Sequence, residues 1–141
     1  MTIESIVPQL EGIIGDGRDD AGLSFFSYRH AQEMHALGLK REFVEDGSPW
    51  TQVCVSIVVS TLIAPKIWVR ILWSRPKAEF PPEECPPWEF PISEDGVRSF
   101  ASKWPEIRLL LERAVARGCP PEEPNQAAQT TPGLRPSVSD L

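Results

Sequence analysis

Hydrophobic and polar positions alternate most strictly between Trp50 and Arg75. The odd positions read Val53, Val55, Ile57, Val59, Thr61 and Ile63, and the even ones Gln52, Cys54, Ser56, Val58, Ser60 and Leu62. One strongly apolar face opposite a small, mostly polar one predicts a half-buried strand. Ala64-Pro65 interrupts the run, because proline has no amide hydrogen to give a ladder. A second alternation follows, with Ile67, Val69, Ile71 and Trp73 on one side and Lys66, Trp68, Arg70, Leu72 and Ser74 on the other. Two such runs so close together predict an antiparallel hairpin whose register the apolar faces set. A membrane-spanning helix here would carry Pro65, Lys66 and Arg70, and each buried cation costs roughly 2.5–3.5 kcal/mol. A buried helix is disfavoured because β-branched side chains lose freedom in helices and fit pleated surfaces better.

The flanking segments read differently. Ile3, Ile6, Val7, Leu10, Ile13 and Ile14 recur at helical spacing, with Thr2 as a cap. Pro8 fits that helix if it begins near Ser5, which places the proline in the first turn. Residues 25–37 are expected to form a second helix, with Phe25, Tyr28, Ala31, Met34 and His35 on its buried side and Gly38 as its C-cap. Residues 39–45 read as a weak strand, turned by Asp46-Gly47-Ser48-Pro49 into the hairpin. Ser93 caps a third helix carrying Val97, Phe100, Ala101 and Trp104, with Glu94 and Asp95 in its first turn. Pro105 is expected to break or kink it and to begin a fourth, with Ile107, Leu110, Leu111, Ala114 and Val115 as its apolar face and Gly118 as its stop.

The expected fold class is therefore α+β: a three-stranded antiparallel meander packed by two N-terminal and two C-terminal helices. Residues 1–118 form one such domain. Residues 119–141, rich in Pro, Gln, Thr and Ser, are expected to be a disordered tail. With four helices to place, a sheet covered on both faces is expected. The other arrangement leaves a patch of Trp68 and Arg70 displayed.

Residues 76–91 form a proline-rich strap containing acidic residues and the aromatics Phe80, Trp88 and Phe90. Proline density implies extended backbone, ordered where the aromatics dock. It either packs across the sheet or is presented to a partner.

Composition narrows the function. The 141 residues carry a net charge of -6, which argues against direct binding to a nucleic-acid backbone or an anionic membrane. The charge is segregated: -5 over residues 1–46, +4 over 50–78, -6 over 79–96 and +3 over 97–118. Either the acidic strap neutralises the basic hairpin or last helix, or it offers an acidic face to a basic partner. The three cysteines, Cys54, Cys85 and Cys119, contain no CxxC pair, so zinc and redox motifs lack support. Pairing of Cys85 with Cys119 stays open on spacing alone. No basic region precedes an apolar core at the N-terminus, so a reducing, cytoplasmic location is the default.

Catalytic signals are weak. Asp16, Asp19 and Asp20 lie near glycines, but Arg18 breaks the alternation a calcium loop needs. On a helix His30 and His35 would stand about 140° apart, which does not suit one shared metal. Neither a metal nor another cofactor is expected, and no enzyme activity.

The leading expectation is a small acidic binding protein. It would act stoichiometrically, as an inhibitor or immunity-type protein that masks a larger protein or nucleoprotein partner with a basic surface. Candidate partner-binding residues are Glu83, Glu84, Trp88, Glu89 and Phe90 in the strap, with Trp68 and Arg70 on the hairpin, because interfaces favour such aromatics and Arg. The alternative is an accessory subunit or chaperone-like module of an assembly, or a homodimer, docking through Trp68 or the last helix. An enzyme with an unfamiliar site near His30 and His35 is the third reading.

Overall fold

The structure is a computed structural model and describes residues 2–15, 22–45, 48–62, 64–74, 77–118 and 120. The acidic loop at 16–20, whose calcium reading the sequence disfavours, Cys119 and the tail beyond Pro120 lie outside the described residues. In chain order the elements are α1 (Ile3–Gly15), β1 (Ser24–Ala31), β2 (Met34–Glu45), β3 (Ser48–Ser60), β4 (Lys66–Ser74), β5 (Lys77–Glu79), β6 (Trp88–Pro91) and α2 (Glu94–Arg117). The class is α+β, but with one antiparallel sheet of six strands and two helices rather than three strands and four helices.

The central hairpin forms as its alternation predicts. Val53, Val55, Ile57 and Val59 pair with Trp73, Ile71, Val69 and Ile67, and all eight side chains are buried on one face. Thr2 caps α1: Ser5 N donates to Thr2 Oγ1 at 3.2 Å while Thr2 N donates to Ser5 Oγ at 3.0 Å. The helix starts at Ile3, so Pro8 falls beyond the first turn, contrary to a start near Ser5. Pro8 is exposed. Its ring faces solvent, while Ile6, Val7, Leu10 and Ile14 bury the opposite side of the helix.

The expected second helix is instead a hairpin of β1 and β2, turning at Gln32 and Glu33. The aromatics Phe25, Phe26 and Tyr28 suit a pleated surface, and β2 pairs with β3 from Met34↔Ser60 to Glu45↔Ser48. That long ladder with a buried neighbour outweighs the local helical spacing. Gly38 is no helix cap. It lies mid-strand between Phe26 and Ser56, where a Cβ would come within 1.9 Å of the Val55 carbonyl oxygen.

The strap packs on the domain and extends the sheet. β5 pairs with the Leu72–Ser74 end of β4, and β6 with its Lys66–Val69 end. Pro81 starts the turn between them, accepting from Glu84 N at 2.8 Å and Cys85 N at 3.0 Å. Phe80 and Phe90 are buried, and Phe90 meets Phe100 edge-on at 5.8 Å between ring centroids.

Pro105 does not divide the C-terminal helix. α2 runs 24 residues, capped by Ser93, whose Oγ accepts from Gly96 N at 3.0 Å, and closed by Gly118 at φ 78°. Val97, Phe100, Trp104, Ile107, Leu111 and Ala114 hold one continuous buried stripe across the proline, which is itself exposed. Burial at roughly 1.5–3 kcal/mol per large side chain outweighs about 3 kcal/mol for one interior proline.

Both helices lie on the same side of the sheet. Their buried residues join Val53, Val55, Ile57, Val59, Ile67, Val69, Ile71 and Trp73 in one core cluster. Among the described residues no element lies over the second face, so the expected coverage of both faces is not seen there.

Candidate functional site: the open face of the sheet

Alternation along each strand decides what the uncovered face carries. The inter-strand register aligns Tyr28, Ala36, Val58, Trp68 and Glu89 in one row across the sheet, and Phe26, Gly38, Ser56 and Arg70 in the next. A third row holds Ser24, Lys40, Cys54, Leu72 and Glu79. In the first two rows the large side chains stand on β1 and β4, and smaller ones on β2 and β3 between them. The relief is a groove about 500 Å³ in volume over β3, floored by Ser56, Val58 and Ser60 and walled by Trp68 and Leu72. Met34 and Leu62 close one end, and Lys77 stands at the other.

Trp68 is the centre of this surface, 37% exposed. Lys66 Nζ lies 5.7 Å and the Arg70 guanidinium 6.0 Å from its ring centroid, both within cation–π range. Each cation holds an acid from the strap: Lys66 Nζ to Glu89 Oε1 at 2.8 Å, and Arg70 Nη1 to Glu79 Oε1 at 3.4 Å. The ammonium and guanidinium are fixed beside the ring and largely neutralised there. Leu62, 57% exposed, extends the apolar surface beyond the end of β3.

The sequence-selected residues are split between the two sides. Trp68, Arg70 and Glu89 come together on the open face. Phe90 is buried in the core on the other side, and Trp88 packs half-buried against it. Glu84 sits in the β5–β6 turn and pairs with Arg117 Nη1 at 3.0 Å, at the end of α2. Glu83, in the same turn, is exposed. The strap therefore presents no single acidic-aromatic face, and its glutamates at 79, 84 and 89 neutralise cations of the same chain. Met34, Val58, Leu62 and Leu72 complete the groove. The even positions of β3 and β4 already announced part of it, while Met34, Phe26 and Tyr28 required a strand reading of residues 24–45.

A second polar cluster ties α1 to the sheet. Ser27 Oγ donates to Glu11 Oε2 at 2.6 Å, and His35 Nε2 lies 2.7 Å from the same hydroxyl oxygen, donating to it. Burial chiefly lowers the His35 pKa, with Glu11 working against that and Arg29 with it. Nucleophilic catalysis needs imidazole to take the serine proton, with the acid behind the imidazole. Here the serine stands between acid and imidazole and its proton points to the carboxylate, an order suited to a tether. Arg29 adds a second tie, Nη2 to Glu4 Oε2 at 2.9 Å. His30 belongs to neither and meets the Tyr28 ring at 6.2 Å.

The two described thiols are quiet. Cys54 is buried beside Ser74 Oγ at 3.8 Å, and burial raises its pKa. Burial, with Glu84 adding to it, pushes the Cys85 thiol up to about 11. Among the described residues, no three His, Cys, Asp or Glu side chains converge into a metal-binding group, and no helix is long and apolar enough to cross a membrane. Searches of family models, curated proteins and solved structures found no match to this chain.

Proposed function

We propose that the chain is a non-catalytic binding protein that holds a larger protein partner against the open face of its sheet in a fixed ratio, masking it as an inhibitor or immunity-type protein does. The observation that carries this reading is Trp68, half-exposed near two cations beside an apolar groove on a face that no described element covers. Trp and Arg at the centre of a patch are the residues that most often dominate binding energy. The face itself is close to neutral, with Lys40, Lys66, Arg70 and Lys77 against Glu42, Glu79 and Glu89, in a chain of net charge -6. The acid excess elsewhere steers the chain toward a basic protein or nucleoprotein surface, and the neutral patch makes the contact.

The same face supports the alternative of an accessory or chaperone-like module that docks permanently in an assembly. The two separate on whether partner activity is blocked or needs the bound chain.

The test is capture of a partner at defined stoichiometry by the native chain, by Trp68→Ala and by Glu83→Lys/Glu84→Lys. Trp68→Ala is expected to weaken binding by about thirtyfold, the scale of one hot-spot residue. The turn reversals are expected to slow association at low salt only. Undiminished capture by Trp68→Ala overturns the assignment of the face.

A further inference from the structure

We infer that, when no partner is bound, the open face is covered by the same face of a second copy, the two sheets stacking as a two-fold sandwich. The inference rests on the binding-face reading above and adds its resting occupant.

Three features point to a copy of this chain. The first is shape. The ridge of Trp68, Arg70 and Leu72 on β4 runs beside the groove over Ser56, Val58 and Ser60 on β3. A two-fold axis parallel to the strands, passing between β3 and β4, lays each ridge in the other copy's groove. That is the isologous contact of a closed dimer, in the aligned geometry that twisted sheets adopt face to face.

The second feature is charge. Of the four bases on the face, Lys66, Arg70 and Lys40 are paired within the chain, to Glu89, Glu79 and Glu42. They enter the interface as neutral pairs and bring no unmatched charge with them. Lys77 stands at the groove's end and remains in water at the rim. The acids that give the chain its net charge of -6 lie largely outside this face, which carries four bases and three acids. This face lets two copies meet through near-neutral surfaces.

The third is area. Five strand positions at ~4.8 Å spacing and about eight residues at ~3.3 Å rise give a footprint of roughly 600 Å². Two copies bury roughly 1,200 Å², the size at which specific interfaces begin. The dimer is therefore expected to be weak enough to open when a partner competes for Trp68.

The experiment is sedimentation velocity on the full chain from the nanomolar to the high-micromolar range at physiological salt. The expected mass rises from 15.8 kDa to twice that value. Trp68→Glu and, separately, Leu62→Glu are expected to raise the dimerisation midpoint by about thirtyfold or more. Leu62 is exposed after the end of β3, so its exchange leaves the fold intact, with unchanged circular dichroism and melting. A mass of 15.8 kDa at every concentration overturns the inference. So does a dimer whose midpoint neither variant moves, as pairing through the edge of β1 would give. A monomeric native chain that still captures a partner through Trp68 removes this inference alone. A dimer lost in Trp68→Glu with partner capture retained removes the binding-face reading alone.

Discussion

The two faces of the sheet are made by the same strands and obey opposite rules. On the covered face the central strands present Val53, Val55, Ile57, Val59, Ile67, Val69, Ile71 and Trp73, all but fully buried. On the open face, one residue along in each case, stand Cys54, Ser56, Val58, Trp68, Arg70 and Leu72. The covered side is uniformly large and apolar because two helices supply partner atoms for every methyl group. The open side mixes small residues, one large aromatic and paired charges, a composition that tolerates water yet offers contact area. Stability resides in one face and recognition is assigned to the other, so substitutions are expected to separate the two properties.

The strongest break of the comparison lies in the core. Phe100→Ala removes a fully buried ring that touches Phe90 and Trp104, and is expected to cost about 3–5 kcal/mol in urea denaturation. Leu72→Ala, only partly buried on the open face, is expected to cost about 1 kcal/mol by the same measurement. Gly38→Ala comes next. It lies on the open face but its Cβ would meet the Val55 carbonyl oxygen at 1.9 Å, which a β3 backbone held on both sides cannot yield. A loss of about 3 kcal/mol is expected, while Ser56→Ala beside it is expected to stay within about 0.5 kcal/mol. Ser93→Ala removes the acceptor for Gly96 N at the start of α2 and is expected to cost about 1 kcal/mol.

The smallest effect is on pH. Burial favours neutral His35, so its folded pKa lies below the ordinary 6.5. The stability it gives is complete above 6.5 and is lost as pH falls, because the unfolded chain takes up the proton first. A shallow decline in melting temperature is expected between about pH 7 and about pH 5, and His35→Gln is expected to flatten it. Cys85 supplies a chemical check on the covered side. With its thiol near 11, alkylation at pH 8 is expected to proceed far more slowly than for a free peptide thiol.

The readable part of this fold is the part where one local signal had no competitor. Strict alternation of β-branched residues gave β3 and β4 their faces, Thr2 and Ser93 marked helix starts by side-chain hydrogen bonding, and Gly118 marked a helix end by its left-handed backbone. Residues 25–37 misled because Phe25, Tyr28, Ala31 and Met34 satisfy a helical spacing while the pairing of β2 with β3, which overrides it, is non-local. Pro105 misled in the same way: its penalty is local, and the buried stripe that offsets it is tertiary. β5 and β6 are three and four residues long, too short for any periodicity to declare. Trp68, Arg70 and Leu72 were legible as one face of a strand. That this face stays open depended on where the helices dock, and no local pattern encodes the side they choose.

The two edges of the sheet also differ. β4 has its outer edge closed by β5 and β6 in turn, whereas β1, among the described residues, has a strand on one side only. In the language of polymerisation the molecule is monofunctional. A chain end with one reactive site can couple to another such end and then stops. Two copies joined through β1 would make a longer sheet whose remaining edges are the three- and four-residue strands β5 and β6, too short to template further pairing well. The strap, which read in the sequence as a candidate recognition segment, thus also blunts the β4 edge with two very short strands, the second ending in Pro91, and such edges are poor templates for further pairing.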